Sequence, residues 1–149
     1  MKIHHIFFLL ISIFICSCEN DSNNRDDNPC LIDKRVNVVY NGNLPLNADL
    51  IQFTGSSRFI KDEVNFIKGV YIRNNGTDFF DAFELAEPND CSQNCDVPTE
   101  LIEGRFVYNC GDQINSYGLD GIKVDGSEDD FSMRRYTARR SGNTLTITY

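Results

Sequence analysis

The sequence predicts an all-β fold, a small antiparallel sandwich or barrel that closes with a C-terminal hairpin. Three observations carry this expectation. Short runs rich in β-branched and aromatic residues recur along the chain, Gly-containing turn pairs punctuate them, and helical periodicity is scarce. Strands of this kind bury every second side chain, and a sheet face buried in that way needs a second layer to cover it.

The first strand is expected at Val36-Asn-Val-Val-Tyr40, ahead of the Asn41-Gly42 turn. Phe59 to Phe66 is ambiguous, because its charged residues interrupt both the period of two and the period of 3.6. Gly69 to Arg73 and Phe79 to Leu85 read as strands on either side of Asn75-Gly76, and Gly104 to Asn109 as another. The clearest unit is terminal: Met133 to Arg140, a Ser141-Gly142-Asn143 turn, then Thr144 to Tyr149. In that last run Leu145, Ile147 and Tyr149 share one face and three threonines the other, as in a half-buried antiparallel hairpin.

Ahead of the domain, Lys2 precedes an apolar run from Ile6 to Ile15 broken only by Ser12, too short to span a bilayer. It ends in Ile15-Cys16-Ser17-Cys18, which resembles the lipobox of bacterial lipoprotein precursors. That resemblance implies removal of residues 1–17 and lipidation of Cys18, which then anchors the protein to a membrane without spanning it. Residues 19–29 contain no aliphatic or aromatic side chain, so 18–30 reads as the lipidated cysteine and a flexible acidic tether with a mean reach of roughly 18 Å. Its acidic bias resembles the surface-export signals of some Gram-negative lipoproteins, which implies an outer-membrane location in the cell envelope, on its periplasmic or its outer side.

Residues 31–149 suit a single domain. Taking Lys2 from the 14 basic residues leaves 13 against 22 acidic ones, a formal charge of −9. Such a surface is a poor partner for nucleic acid and for anionic headgroups. An unidentified envelope protein remains the expected partner.

Two loops resemble those of the Rieske iron–sulfur domain: Ala82-Phe-Glu-Leu-Ala-Glu-Pro-Asn-Asp-Cys91 and Phe106-Val-Tyr-Asn-Cys-Gly111. Segments around Ser132-Met-Arg-Arg-Tyr136 and Ser141-Gly-Asn-Thr-Leu145 resemble the closing part of that family, so the likeness runs from Phe79 to Tyr149. The chain is also similar to a group of small bacterial envelope lipoproteins with the segments found here at Asn43 to Leu46 and Ala82 to Leu85. In the Rieske family, loops of the form Cys-x-His and Cys-Pro-Cys-His-Gly hold the cluster. Carried over, the first pair falls on Glu87 and Asn89 and the second on Tyr108 and Gly111. None is a thiolate or an imidazole, whereas a Rieske centre needs two His on one iron. The two histidines, His4 and His5, both lie in the segment expected to be removed. The resemblance therefore implies a degenerate Rieske-like domain with no iron–sulfur cluster and no cofactor.

Cys30, Cys91, Cys95 and Cys110 remain, an even number that in an exported domain argues for disulfides in one of three pairings. The family resemblance implies a staple between the two loops, Cys110 with either Cys91 or Cys95, leaving Cys30 for the other. A Cys₄ zinc or iron–sulfur site is the alternative, although paired Cys-x-x-Cys knuckles are absent. The functional expectation is a non-catalytic binding or structural module; an electron-transfer or metal-binding protein using those four thiolates is the alternative.

Other groups have plain readings. Glu87, Asp90 and Asp96 crowd the cysteine-bearing loop, where a carboxylate pair in the manner of glycosidases competes with a solvated acidic loop. Asp125 to Asp130 lacks the spacing of a calcium loop and reads as a charged turn. Arg134-Arg135 and Arg139-Arg140 are expected to pair with neighbouring carboxylates. Asn75-Gly76-Thr77 reads as a turn, and Phe79, Phe80 and Phe83 as core.

Overall fold

The computed structural model describes residues 28–92, 95–124, 126–127 and 129–149. Residues 1–27, on which the expected signal, the expected lipidation at Cys18 and most of the expected tether fall, lie outside the described residues. The described chain folds as β1 (Asn37–Asn41), α1 (Pro45–Gln52), β2 (Ser57–Ile60), β3 (Val70–Gly76), β4 (Phe79–Glu84), β5 (Glu100–Ile102), β6 (Arg105–Cys110), β7 (Gln113–Tyr117), β8 (Thr137–Ser141) and β9 (Thr144–Thr148). All strand pairs are antiparallel and build three small sheets, ordered β1-β9-β8, β2-β3-β4 and β5-β6-β7. The all-β expectation holds.

The central sheet is covered on both faces, which explains its sequence. Val70, Tyr71 and Ile72 are consecutive and all buried, as they must be in a strand without a solvent side. Val70, Ile72, Phe80 and Ala82 face one core with Leu145 and Ile147 of β9 and Leu50 and Ile51 of α1. Tyr71 and Phe83 face a second core with Phe106 and Tyr117 of the β5-β6-β7 sheet and Met133. Phe106 lies edge-on to both Tyr71 and Phe83, at 4.9 and 5.8 Å between ring centroids.

In β9 the expected face division is observed: Leu145 and Ile147 are fully buried and the threonines half-buried. The turn joining it to β8 is Gly142-Asn143, with Gly142 at φ +58°. One expectation needs correction, one element is added and one ambiguous run is resolved. Met133 to Tyr136 does not belong to the last hairpin, whose first strand begins only at Thr137. Instead this segment pairs with β4, through Glu84 N–H to Arg134 O at 2.9 Å and Tyr136 N–H to Ala82 O at 2.9 Å. The chain thus changes sheet at Tyr136 and ties the first two sheets together.

The helix α1 is the added element. Pro45 stands at its first turn, where a missing N–H costs nothing, and Asn47, Leu50 and Ile51 form its buried stripe. Eight residues with so few apolar positions carry little periodic signal, and tertiary contacts stabilise the helix. Its last carbonyls, Leu50 O and Ile51 O, accept from the buried Asn74 side chain of β3 at 3.0 and 3.2 Å. The ambiguous Phe59 to Phe66 run is strand only to Ile60; Asp62 then turns the chain by accepting from the N–H groups of Val64 and Asn65, both at 3.1 Å.

Candidate functional site

The loop after β4, the inner face of the β6–β7 hairpin and the segment from Asn28 to Ile32 meet around a cavity of about 250 Å³. Along the hairpin the inner face changes from apolar to polar. Phe106 opposite Tyr117 packs into the second core, Tyr108 opposite Asn115 follows, and Cys110 opposite Gln113 ends the ladder. The loop after β4 lies against this polar end and is held by its own side chains.

Two disulfides bracket the loop. Cys30 pairs with Cys91, and Cys95 with Cys110, so one joins the start of the domain to the loop and the other joins the loop to β6. With this pairing none of the four sulfurs is available as a thiolate ligand. Asn28 is buried, donates from Nδ2 to Pro88 O at 2.8 Å and accepts from Cys30 N–H at 2.8 Å. Asn28 and Cys30, expected in the tether, are therefore part of the packed domain.

Glu87 sits at the centre. Its Oε1 accepts from Tyr117 Oη, from Asn115 Nδ2 at 2.9 Å and from Asn89 N–H at 3.1 Å. Its Oε2 is buried and has no hydrogen-bond partner among the described residues. Burial pushes the Glu87 carboxyl above its ordinary range, against the opposing pull of the Tyr117, Asn89 and Asn115 hydrogen bonds. Tyr117 rises for the same reason, burial first and the Glu87 charge second.

Asp90 is equally buried. Its Oδ2 accepts from Tyr108 Oη at 2.6 Å, and its Oδ1 from Ser92 Oγ at 2.6 Å and Ser92 N–H at 3.1 Å. Burial and then the hydrogen bond to Asp90 push the Tyr108 hydroxyl up. Asn89 acts as a strand-like clamp: Oδ1 accepts from Phe131 N–H and Nδ2 donates to Phe131 O, both at 2.8 Å, while Nδ2 also donates to Tyr117 Oη at 3.0 Å. Asp96 pairs with Lys68 at the cavity wall.

Of the four positions on which the resemblance places cluster ligands, the structure joins Glu87 and Asn89 in one hydrogen-bonded group with Asn115 and Tyr117, and sets Tyr108 in a second with Asp90 and Ser92. Gly111 stands apart, in the β6–β7 turn at φ +62°. Asn115, Tyr117 and Lys68 are site residues not singled out from the sequence. A signal for the first two existed: in Gln113–Tyr117 the alternation buries Asn115 and Tyr117 and leaves Ile114 exposed, the reverse of an ordinary apolar face.

Arg135 pairs with Asp81 at 2.5 Å, and Arg134 donates to Ile32 O at 2.8 Å while lying over the Tyr149 ring. Asp130 accepts from Lys123 at 3.0 Å and from Ser127 N–H at 2.6 Å, which hold its carboxyl low; Asp125 of the same loop lies outside the described residues. Phe80 and Phe83 are core, whereas Phe79 is exposed. Asn75 donates to Asp81 at 2.5 Å beside the β3–β4 turn. No helix among the described residues is long and apolar enough to cross a membrane. Comparison with protein-family models, with curated proteins and with solved structures finds no match to this chain.

Proposed function

We propose that this protein is a lipid-anchored envelope module with a non-catalytic binding or structural role, a degenerate Rieske-like domain in which disulfides stand where a cluster would be held. The observation that supports it best is the Cys95–Cys110 bond, which staples the loop bearing Glu87 and Asn89 to the strand bearing Tyr108. Glu87, Asn89 and Tyr108 hydrogen-bond within the fold and bring neither thiolate nor imidazole to the cavity. Asp90 gives both carboxylate oxygens to Tyr108 and Ser92, a holding role rather than that of a base. Lipidation at Cys18 would keep the domain at the outer membrane through its acidic tether, with an envelope protein as partner.

The electron-transfer alternative needs Cys30, Cys91, Cys95 and Cys110 reduced and free. Intact-mass measurement and non-reduced peptide mapping of the membrane-extracted protein test both readings at once. The expected result is a colourless protein that begins at a lipidated Cys18 and has no alkylatable thiol. Stoichiometric iron with visible absorption, or four free thiols, would overturn it.

A further inference from the structure

We propose that the cavity beside Glu87 binds a primary ammonium group carried on a short apolar stem; this gives the binding module proposed above its ligand class and rests on that reading. The argument starts from one atom. Glu87 is 5% exposed, it lines the cavity, and among the described residues its Oε2 has no donor although Oε1 has three. A buried carboxylate oxygen left without a donor is costly, so the geometry calls for an N–H or O–H brought from outside the fold.

Charge selects among the donors. Among the described residues the cavity is lined by Glu87, Asp90 and Asp96 against one cation, Lys68, which is already paired with Asp96. Anions are disfavoured there and a cation is favoured. A hard metal ion takes six to eight oxygen ligands, whereas here both Asp90 oxygens accept from Tyr108 and Ser92, and Glu87 Oε1 is filled. An ammonium carries three donors and needs no such shell.

Shape selects the rest. Leu31, Ile32, Ala86 and Val97 supply apolar wall beside the acidic groups, a match for a methylene stem ending in a charged head. A volume of about 250 Å³ lies below the usual range for drug-sized ligands and admits a small amine or a single inserted side chain.

The test is calorimetric titration of the disulfide-intact, membrane-extracted protein with n-butylammonium chloride, beside n-butanol and sodium butyrate. Saturable binding of n-butylammonium is expected, at least tenfold tighter than either control and weakened at least tenfold in Glu87→Gln. Ala86→Leu, which fills the cavity and leaves Glu87 in place, is expected to abolish it. The idea is overturned if the wild-type protein does not bind n-butylammonium, if n-butanol binds as well, or if a folded Glu87→Gln variant binds as tightly. Should Glu87→Gln fail to fold, the three-ligand comparison and Ala86→Leu decide. Nα-acetyl-lysine methylamide, titrated in parallel, assigns the ammonium to a protein side chain if it binds more tightly and to a free amine if it does not. Thiol content and iron on the same sample judge the parent reading separately, so failure of one is distinguishable from failure of the other.

Discussion

Tyr136, in the segment paired with β4, donates its hydroxyl to Glu84, and the Glu84 carboxylate also gathers five backbone N–H groups. Those of Ile67, Lys68 and Gly69 come from the connection between β2 and β3, and those of Leu85 and Ala86 from the start of the cysteine-bearing loop. Glu84 is fully buried, yet every neighbour that it meets here is a donor. This one side chain therefore holds the upper edge of the central sheet and the root of the candidate site.

Glu84→Gln replaces an acceptor-only group with one that carries two donors among amide N–H groups. Expected destabilisation is about 3 kcal/mol, and that of Tyr136→Phe about 1.5–3 kcal/mol, since a hydrogen bond to a charged group is lost. Urea denaturation with an unchanged slope checks both. A loss below ~0.5 kcal/mol for Glu84→Gln would show that the nest is not organised around the carboxylate.

The disulfides differ in span, 61 residues for Cys30–Cys91 and 15 for Cys95–Cys110. On chain-entropy grounds, removing the longer by a paired Cys→Ala change is expected to cost about 4 kcal/mol, and removing the shorter about 3 kcal/mol. Thermal unfolding of each double variant, with and without reductant, measures the difference. The reductant should lower the midpoint of each double variant further, because the other bond remains to be broken.

Glu87 links stability to pH in a direction opposite to that of most carboxylates. Its folded-state pKa is raised above the ordinary 4.5, so between the two values the folded form holds a proton that the unfolded chain has lost. The stability it contributes is complete below the unfolded value and is lost as pH rises through the folded one. Glu87→Gln should flatten that loss in urea titrations begun at pH 4 and carried upward. Asp130, held low by Ser127 and Lys123, contributes the other way, losing its share as pH falls through its folded value.

Gly69 occupies a place no other residue fits. Its φ is +139°, and a Cβ there would lie 2.4 Å from Ile60 O, a backbone atom of β2. Gly69→Ala should cost at least about 2 kcal/mol, combining left-handed strain with that clash. Gly55→Ala, also at positive φ but with nothing within 4 Å, should cost less. Chemical denaturation of the two variants side by side separates strain from collision.

The strands with strong local patterns were legible in the sequence: β1, β3, β4, β6 and β9 fall where β-branched residues, aromatics and turn pairs place them. Short, weakly apolar pieces were not. Glu100–Ile102 has three residues and Gln113–Tyr117 a polar inner face, so each becomes a strand only when β6 supplies its ladder. The same holds for α1, whose stripe is complete only against the first core.

By itself the sequence determined an all-β domain, an acidic surface, and a set of loop positions that offer four cysteines but no imidazole, because each depends on residue identity and near-neighbour spacing. Only tertiary structure decided which cysteines pair, that Glu84 and Glu87 are buried, and that Asn115 and Tyr117 face the latter. Those outcomes depend on contacts between residues far apart in the chain, such as Tyr117 with Glu87 thirty positions away. Local pattern carries no record of such meetings, since burial and hydrogen bonding are set by whichever segment the fold brings alongside.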